Sequence, residues 1–176
     1  MFRGGSSNSL TRSRLRTSGV LSLLVATGFA GCASLVLTPS GRVLEGRAIA
    51  TDGDSIRIDS TRIRLKGIDA PELEQRCQRG GKPYSCGEMA RDALLSLVLR
   101  NQVRCRSAGR DKYKRVLAKC FVGDVDLGSR MVASGWALGY GDYAPQERAA
   151  MAQRAGLWAG SFDTPRDWRR LHPMDQ

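Results

Sequence analysis

The sequence predicts an α+β fold in which about five short strands form a small closed barrel, with about three helices inserted or appended. Apolar and polar residues alternate in short segments of residues 41–65 and again in residues 102–122, which is typical of half-buried strands. Apolar stripes at helical spacing lie between and after these segments. No repeat or low-complexity linker divides the 176 residues, so we expect a single domain behind an N-terminal leader.

The first forty residues predict this leader. Residues 1–18 contain four arginines and no acid, and residues 19–37 carry no charge, which is the order found in export signals. Residues 29–32 resemble a bacterial lipoprotein cleavage box ending in Cys32, which would then carry the lipid. The alternative is an uncleaved anchor, since an uncharged stretch of this length can just span a bilayer. Either form delivers the domain outside the cytoplasm and limits membrane contact to the leader.

The first predicted strand covers residues 41–51, and a hairpin follows it. Isoleucines alternate with polar residues in residues 56–58, and apolar side chains alternate again in residues 63–65. Residues 59–61 between them are Asp-Ser-Thr, which favours a turn.

Four acids flank this hairpin, with Asp52 and Asp54 before it and Asp69 and Glu72 after it. A hairpin can bring the start of its first strand near the end of its second, which would place Asp54 beside Asp69. Arg64 belongs to the polar face of the second strand. Carboxylate oxygens suit a hard cation such as calcium, and a guanidinium suits a phosphate. The cluster predicts a metal-assisted phosphodiesterase.

Two structural interpretations compete with this chemistry. Asp52-Gly53 is a common hairpin turn pair. Asp69-Ala-Pro-Glu72 also matches a helix start, with Asp as the N-cap and Pro in the first turn. The residues that follow are polar and are then broken by Gly80-Gly81, which weakens the helix interpretation without eliminating it.

Three helices are predicted further along the chain. Ser85 and Glu88 form a capping box before an apolar stripe that we assign to the core. A short helix begins at Asp126 and stops at Gly135. The third lies within residues 145–156, between a first-turn proline and a glycine.

Four of the five cysteines lie outside the leader, an even number that suits disulfides in an oxidising compartment. If residues 102–122 form a hairpin centred between positions 112 and 113, Cys105 faces Cys120, close enough for a disulfide. Cys77 and Cys86 would then close the loop after the acidic cluster. Four buried free thiols are the alternative.

Three separated motifs, in this order, resemble the staphylococcal nuclease (thermonuclease) family, and the similarity extends to two short glycine–aromatic motifs. The three motifs are DGDS at 52–55, RLKGIDAPE at 64–72 and DKYKR at 111–115; the two further matches are GWA at 135–137 and GLW at 156–158. The resemblance implies an OB-fold barrel over residues 41–160, preceded by the leader and followed by a basic tail over 161–176.

The resemblance also implies a calcium site. It assigns Ca²⁺ to the carboxylates of Asp54 and Asp69 and to the backbone carbonyl of Ala70, with Asp52 in the outer shell. Ligands of this kind are hard oxygens throughout.

The catalytic roles implied by the resemblance fall to Glu72 as general base and to Arg64 and Arg115 as phosphate ligands. A carboxylate base is also expected from the residues themselves, because the only histidine lies in the tail. By the same resemblance, Lys112 and Tyr113 match positions that contact a neighbouring phosphate, and Tyr140 matches one that stacks on a base or sugar. The resemblance therefore implies a calcium-dependent endonuclease that cleaves DNA or RNA and leaves 3′-phosphate and 5′-hydroxyl ends.

The charge agrees with a polyanionic substrate. The formal net charge is +11, of which four charges belong to leader arginines, so the remainder of the chain still carries +7. The alternative function is a non-catalytic OB-fold module that binds nucleic acid at the cell envelope. That alternative gives no reason for three clustered carboxylates, which repel phosphate in the absence of a metal. A structural or adaptor role at the envelope is a third possibility. We expect a monomer.

Overall fold

The computed structural model describes residues 41–173. The chain forms ten strands, four α-helices and one 3₁₀ turn in this range. Their bounds are β1 Val43–Ala50, β2 Ser55–Ile58, β3 Thr61–Leu65, β4 Ile68–Asp69, β5 Arg76–Arg79, β6 Lys82–Ser85, α1 Cys86–Val98, β7 Gln102–Arg110, β8 Val116–Val122, β9 Val125–Asp126, α2 Leu127–Ala133, β10 Leu138–Gly139, α3 Ala144–Ala152, the 3₁₀ turn Gly156–Ala159 and α4 Pro165–Leu171.

Five strands close into a barrel. Hydrogen bonds connect them in the order β3-β2-β1-β7-β8, and β3 pairs with β8 in parallel to complete the circle. The β2–β3 register places Ile56 opposite Ile63, and both side chains are buried. The predicted α+β class and OB-fold barrel are confirmed, and the predicted hairpin supplies two of the barrel strands.

The core fills the barrel and continues between the barrel and helices α1 and α2. Ile63, Leu65, Leu94 and Met131 are among its fully buried side chains. Ala90, Leu94 and Val98 make up the buried stripe of α1, as the predicted helical spacing requires.

Two predicted features of the helix ends differ in the structure, and each difference has a local cause. Ser85 is the N-cap position of α1, but its side chain makes no cap hydrogen bond; it accepts one from Arg76 Nη1 at 3.1 Å instead. Helix α3 ends at Ala152, earlier than predicted, because Arg154 takes a left-handed conformation at φ 51°.

A fourth helix, α4, lies in the segment predicted only as a basic tail. Thr164 caps it, accepting a hydrogen bond from the Asp167 amide at 3.2 Å, and Pro165 is its first residue. Thr164 and Asp167 therefore mark the helix start in the sequence as an N-cap and an acid three residues later.

Both predicted disulfides are present. Cys105 and Cys120 face each other across β7 and β8, with their Cα atoms 4.0 Å apart. Cys77 and Cys86 are joined with a Cα separation of 5.6 Å. The predicted register holds from Arg104 to Ser107 and then shifts by one residue at a bulge before Gly109.

Within residues 41–173, no helix is long and apolar enough to cross a membrane. The predicted leader and Cys32 lie outside the described residues.

Candidate active site

The β2–β3 hairpin brings the acids together as the sequence predicts. Asp54 immediately precedes β2 and is buried. Its carboxylate accepts a hydrogen bond from the Ala70 amide at 3.2 Å, and its carbonyl accepts one from Leu65 at 2.8 Å. Asp69 ends β4, where it pairs with Leu138 of β10. This pairing makes Asp69 a strand residue, so it does not cap a helix.

Arg64 lies between the two aspartates. Its guanidinium donates to Asp54 Oδ1 at 2.6 Å and to Asp69 Oδ1 at 2.8 Å. Burial raises the pKa of Asp54 to about 7, although the neighbouring Arg64 opposes that shift. The two aspartates and Arg64 thus form one electrostatic unit at the end of the hairpin.

Asp52 supports this unit from the turn before β2. Its carboxylate accepts a hydrogen bond from the Asp54 amide at 2.9 Å. This is the side-chain-to-backbone bond expected of an aspartate in a turn. The turn interpretation of Asp52-Gly53 is therefore correct for the backbone, and the same turn aims Asp54 at Arg64.

Glu72 lies just beyond Asp69, in a loop with no helical residues. Its carboxylate accepts a hydrogen bond from Arg169 Nη1 of α4 at 2.6 Å, and its amide donates to the buried Gln75 Oε1 at 3.2 Å. The loop packs closely against the start of α1: a Cβ on Gly87 would overlap the Glu72 carbonyl oxygen.

The opposite side of the cleft is formed by the turn between β7 and β8. Arg115 Nε donates to Asp111 Oδ2 at 2.7 Å, and Arg115 Nη1 donates to Ser55 Oγ at 3.3 Å. Burial opposes ionisation of Asp111, but hydrogen bonds from Arg115 outweigh it and lower the Asp111 pKa. Lys112 Nζ lies 4.8 Å from the ring centre of Tyr113. The ion pair fixes Arg115 at this side of the cleft.

A cleft of about 730 Å³ contains most of the predicted site residues. Its lining includes Arg64, Glu72, Arg115, Lys112, Tyr113 and Asp52. Asp54, Asp69 and Ala70 adjoin it through the contacts described above. Tyr140 is not part of the lining; its side chain is 73% exposed and its amide donates to the Gly67 carbonyl at 2.7 Å.

The donor set fits a hard divalent cation in its chemistry. Asp54 and Asp69 are carboxylates, and neither histidine nor thiolate contacts them among residues 41–173. In this part of the chain no three Asp, Glu, His or Cys side chains form a preorganised metal cluster. Arg64 forms ion pairs with both Asp54 and Asp69, and Arg169 forms an ion pair with Asp69.

Three basic residues of the cleft were not assigned to the site from the sequence: Arg62, Arg169 and Arg170. Arg62 shares the outward face of β3 with Arg64, so strand alternation could have identified it. The two others belong to α4, whose start is signalled by Thr164 and Asp167. No pattern in the sequence indicates that α4 packs beside Glu72.

Basic residues continue from the cleft across the outer face of the barrel. The register aligns outward-facing residues of β3, β2, β1 and β7. Within residues 41–173 none of the following exposed side chains forms an ion pair: Arg62, Arg57, Arg47, Arg104 and Arg106. We call these five residues the basic face.

Comparisons with known proteins agree with this geometry. The family model described as "Staphylococcal nuclease homologue" matches residues 62–160. Succinoglycan biosynthesis protein ExoI of Rhizobium meliloti (strain 1021) is 35% identical over 152 residues, covering 81% of this chain and 75% of that protein. An "Uncharacterized endonuclease" of Haemophilus influenzae (strain ATCC 51907 / DSM 11121 / KW20 / Rd) is 30% identical over 137 residues, covering 71% and 72%. "Probable staphylococcal-like nuclease CAN4" of Oryza sativa subsp. japonica is 34% identical over 115 residues, and the matched region spans 61% of this chain but 21% of the plant protein. This chain belongs to the staphylococcal nuclease family.

Proposed function

We propose that this protein is a calcium-dependent endonuclease that hydrolyses phosphodiester bonds of DNA or RNA. The observation that supports it most is the meeting of Arg64, Arg115 and Glu72 in one cleft beside the paired aspartates. A nucleic-acid-binding module needs the arginines but has no use for a carboxylate aimed into a phosphate-binding cleft. The membership of a nuclease family supports the same conclusion.

Glu72 is the general base of the proposed reaction. Its carboxylate is partly exposed to the cleft, so a water molecule can reach it. The water oxygen forms a bond to phosphorus while its proton passes to Glu72. The bond from phosphorus to the 5′ oxygen breaks, and that oxygen takes up a proton from solvent. The products are a 3′-phosphate and a 5′-hydroxyl end.

Arg64 and Arg115 bind the phosphate oxygens in this proposal. A guanidinium has five N–H donors. Arg64 uses two nitrogens on aspartates, and Arg115 uses two on Asp111 and Ser55, so both retain donors. Their positions are fixed before substrate binds, which favours the charge that builds on the phosphate in the transition state.

Calcium would be held by the carboxylates of Asp54 and Asp69 and by the carbonyl of Ala70, with Asp52 in the outer shell. When bound, it would polarise a phosphate oxygen. The burial of Asp54 supports this assignment. Burial makes the ionised carboxylate of Asp54 unfavourable, and Arg64 offsets only part of that free-energy cost, which leaves a role for a cation.

The substrate is a nucleic acid strand rather than a single phosphate ester. Lys112 and Tyr113 extend the cleft and would contact the neighbouring phosphate and sugar. We assign Tyr140 to a stacking contact farther along the strand. The basic face offers cations that form no ion pair within residues 41–173, and these can make additional backbone contacts that are largely independent of sequence.

We further propose that the protein acts as a monomer outside the cytoplasm. Two disulfides support an oxidising compartment. Export through the leader, with or without lipid on Cys32, accounts for both the disulfides and the uncharged N-terminal stretch.

Digestion of a plasmid by the purified full-length chain tests the proposal. We expect nicking and then fragmentation in millimolar calcium, and none in excess chelator. Binding of DNA without cleavage under calcium, magnesium and manganese would instead favour the non-catalytic module. Cleavage that persists in chelator would refute the metal assignment but not the proposed nuclease activity.

A further inference from the structure

The C-terminal segment, residues 160–171, is attached to the chain that follows Glu72. Gln78 and Ser161 exchange two backbone hydrogen bonds of 2.9 and 3.0 Å. Gly160 allows this approach, because a Cβ there would overlap the Gln78 carbonyl oxygen. The matched family region ends at residue 160, so nearly all of this segment lies beyond it.

Gln75 ties the backbone of Glu72 to the same segment. Its side chain is completely buried. Oε1 accepts from the Glu72 amide at 3.2 Å, and Nε2 donates to the Asp163 carbonyl at 2.8 Å. A buried amide side chain with both ends bonded is a specific connection, since leaving either end unpaired would be unfavourable.

Arg169 holds the side chain of Glu72. Its guanidinium donates to Glu72 Oε1 at 2.6 Å and to the Asp69 carboxylate at 2.9 and 3.2 Å. Within the described residues the Glu72 carboxylate has no other hydrogen-bond partner. Burial opposes the charge on Arg169, but these hydrogen bonds outweigh it and raise the Arg169 pKa. A planar fork can bridge two carboxylates in this way, whereas a single ammonium cannot match both.

We propose that residues 160–171 complete the active site, and that Arg169 is a positioning residue that holds the Glu72 carboxylate beside Asp69. This inference rests on the proposed role of Glu72 as the base. A glutamate side chain that no hydrogen bond holds samples several rotamers, and few of them place the carboxylate where it can take a proton from the attacking water. Arg169 fixes the side chain and Gln75 fixes the backbone, so both depend on one C-terminal segment.

The first test compares Arg169→Ala with Arg166→Ala. Arg166 is exposed on the same helix, makes no ion pair in residues 41–173 and does not line the cleft. It is therefore a control with the same change in charge. We expect Arg169→Ala to lower kcat by about 100-fold, as for a misplaced catalytic group, with KM nearly unchanged. Arg166→Ala should match wild type, and Arg169→Lys should restore only part of kcat.

The second test needs no substrate or metal. We expect hydrogen–deuterium exchange of the amides of residues 72–76 to be faster in Arg169→Ala than in wild type or Arg166→Ala. Gln75→Met, which keeps the length but removes both hydrogen bonds, should show the same fast exchange and the same loss of kcat. Thermal unfolding of each variant establishes that it is folded at the assay temperature.

The outcomes separate the alternatives. A higher KM with kcat retained in Arg169→Ala would make Arg169 a substrate-binding residue. A higher kcat would mean that Arg169 inhibits the wild-type site. Either result overturns the positioning role. Unchanged kcat and unchanged exchange would overturn it as well. If wild type cuts no nucleic acid, the proposed function fails, while the exchange measurement still decides whether Arg169 holds the Glu72 loop.

Discussion

The Cys105–Cys120 disulfide should make a large contribution to the stability of the barrel. The two cysteines are 15 residues apart, and a bridge across a loop of this length stabilises a protein by about 3 kcal/mol in the chain-entropy model. For a domain of this size, that free energy corresponds to roughly 10 °C in Tm. We therefore expect the double variant Cys105→Ala/Cys120→Ala to unfold about 10 °C below wild type in circular dichroism melts.

A matched control is the second disulfide. Cys77 and Cys86 are nine residues apart, so the same model predicts that their bridge stabilises the fold by about 0.5 kcal/mol less than the Cys105–Cys120 bridge does. Reductant should lower the Tm of wild type and leave a variant without either disulfide unchanged. Below its Tm the Cys105→Ala/Cys120→Ala variant should retain kcat, because the strand pairing that carries Arg115 remains. Equal Tm values for wild type and this variant would refute the stabilising role.

Three further predictions concern the cleft and its surroundings. Asp54→Asn should weaken calcium binding in titration calorimetry and lower turnover, because it removes a ligand charge; unaltered calcium affinity would exclude Asp54 as a ligand. Arg115→Ala should weaken DNA binding and lower kcat by about 10²–10³, the range for loss of a transition-state donor, and a change in binding alone would place Arg115 outside the reaction. Arg106→Gln on the basic face should reduce the slope of log K against log salt by about 0.9 if it contacts one phosphate, whereas Arg148→Gln on α3 should not, and equal slopes would remove Arg106 from the DNA-binding surface.

The barrel and the acidic centre could be predicted because short-range patterns determine them. Alternation placed Ile56 and Ile63 inside, which leaves Arg64 on the outer side with the aspartates. The hairpin register identified Cys105 and Cys120 as partners, and a one-residue bulge nearer the turn did not disturb that pair.

The remaining features depend on contacts between distant parts of the chain. Asp69 resembles a helix cap in sequence, but pairing with Leu138 makes it a strand residue. Arg169 is 97 residues from Glu72, and nothing near it in sequence indicates that contact. The hydroxyl of Ser85 is engaged by Arg76, which no local capping pattern could reveal.

The central claim is that Glu72 is the base of a hydrolytic site, and the Glu72→Gln variant tests it most directly. Glutamine keeps the size and an oxygen for Arg169 but cannot take the proton. We predict that this variant folds and binds DNA in calcium as wild type does, while kcat falls by about 10²–10⁴. Cleavage at the wild-type rate by Glu72→Gln would contradict the account.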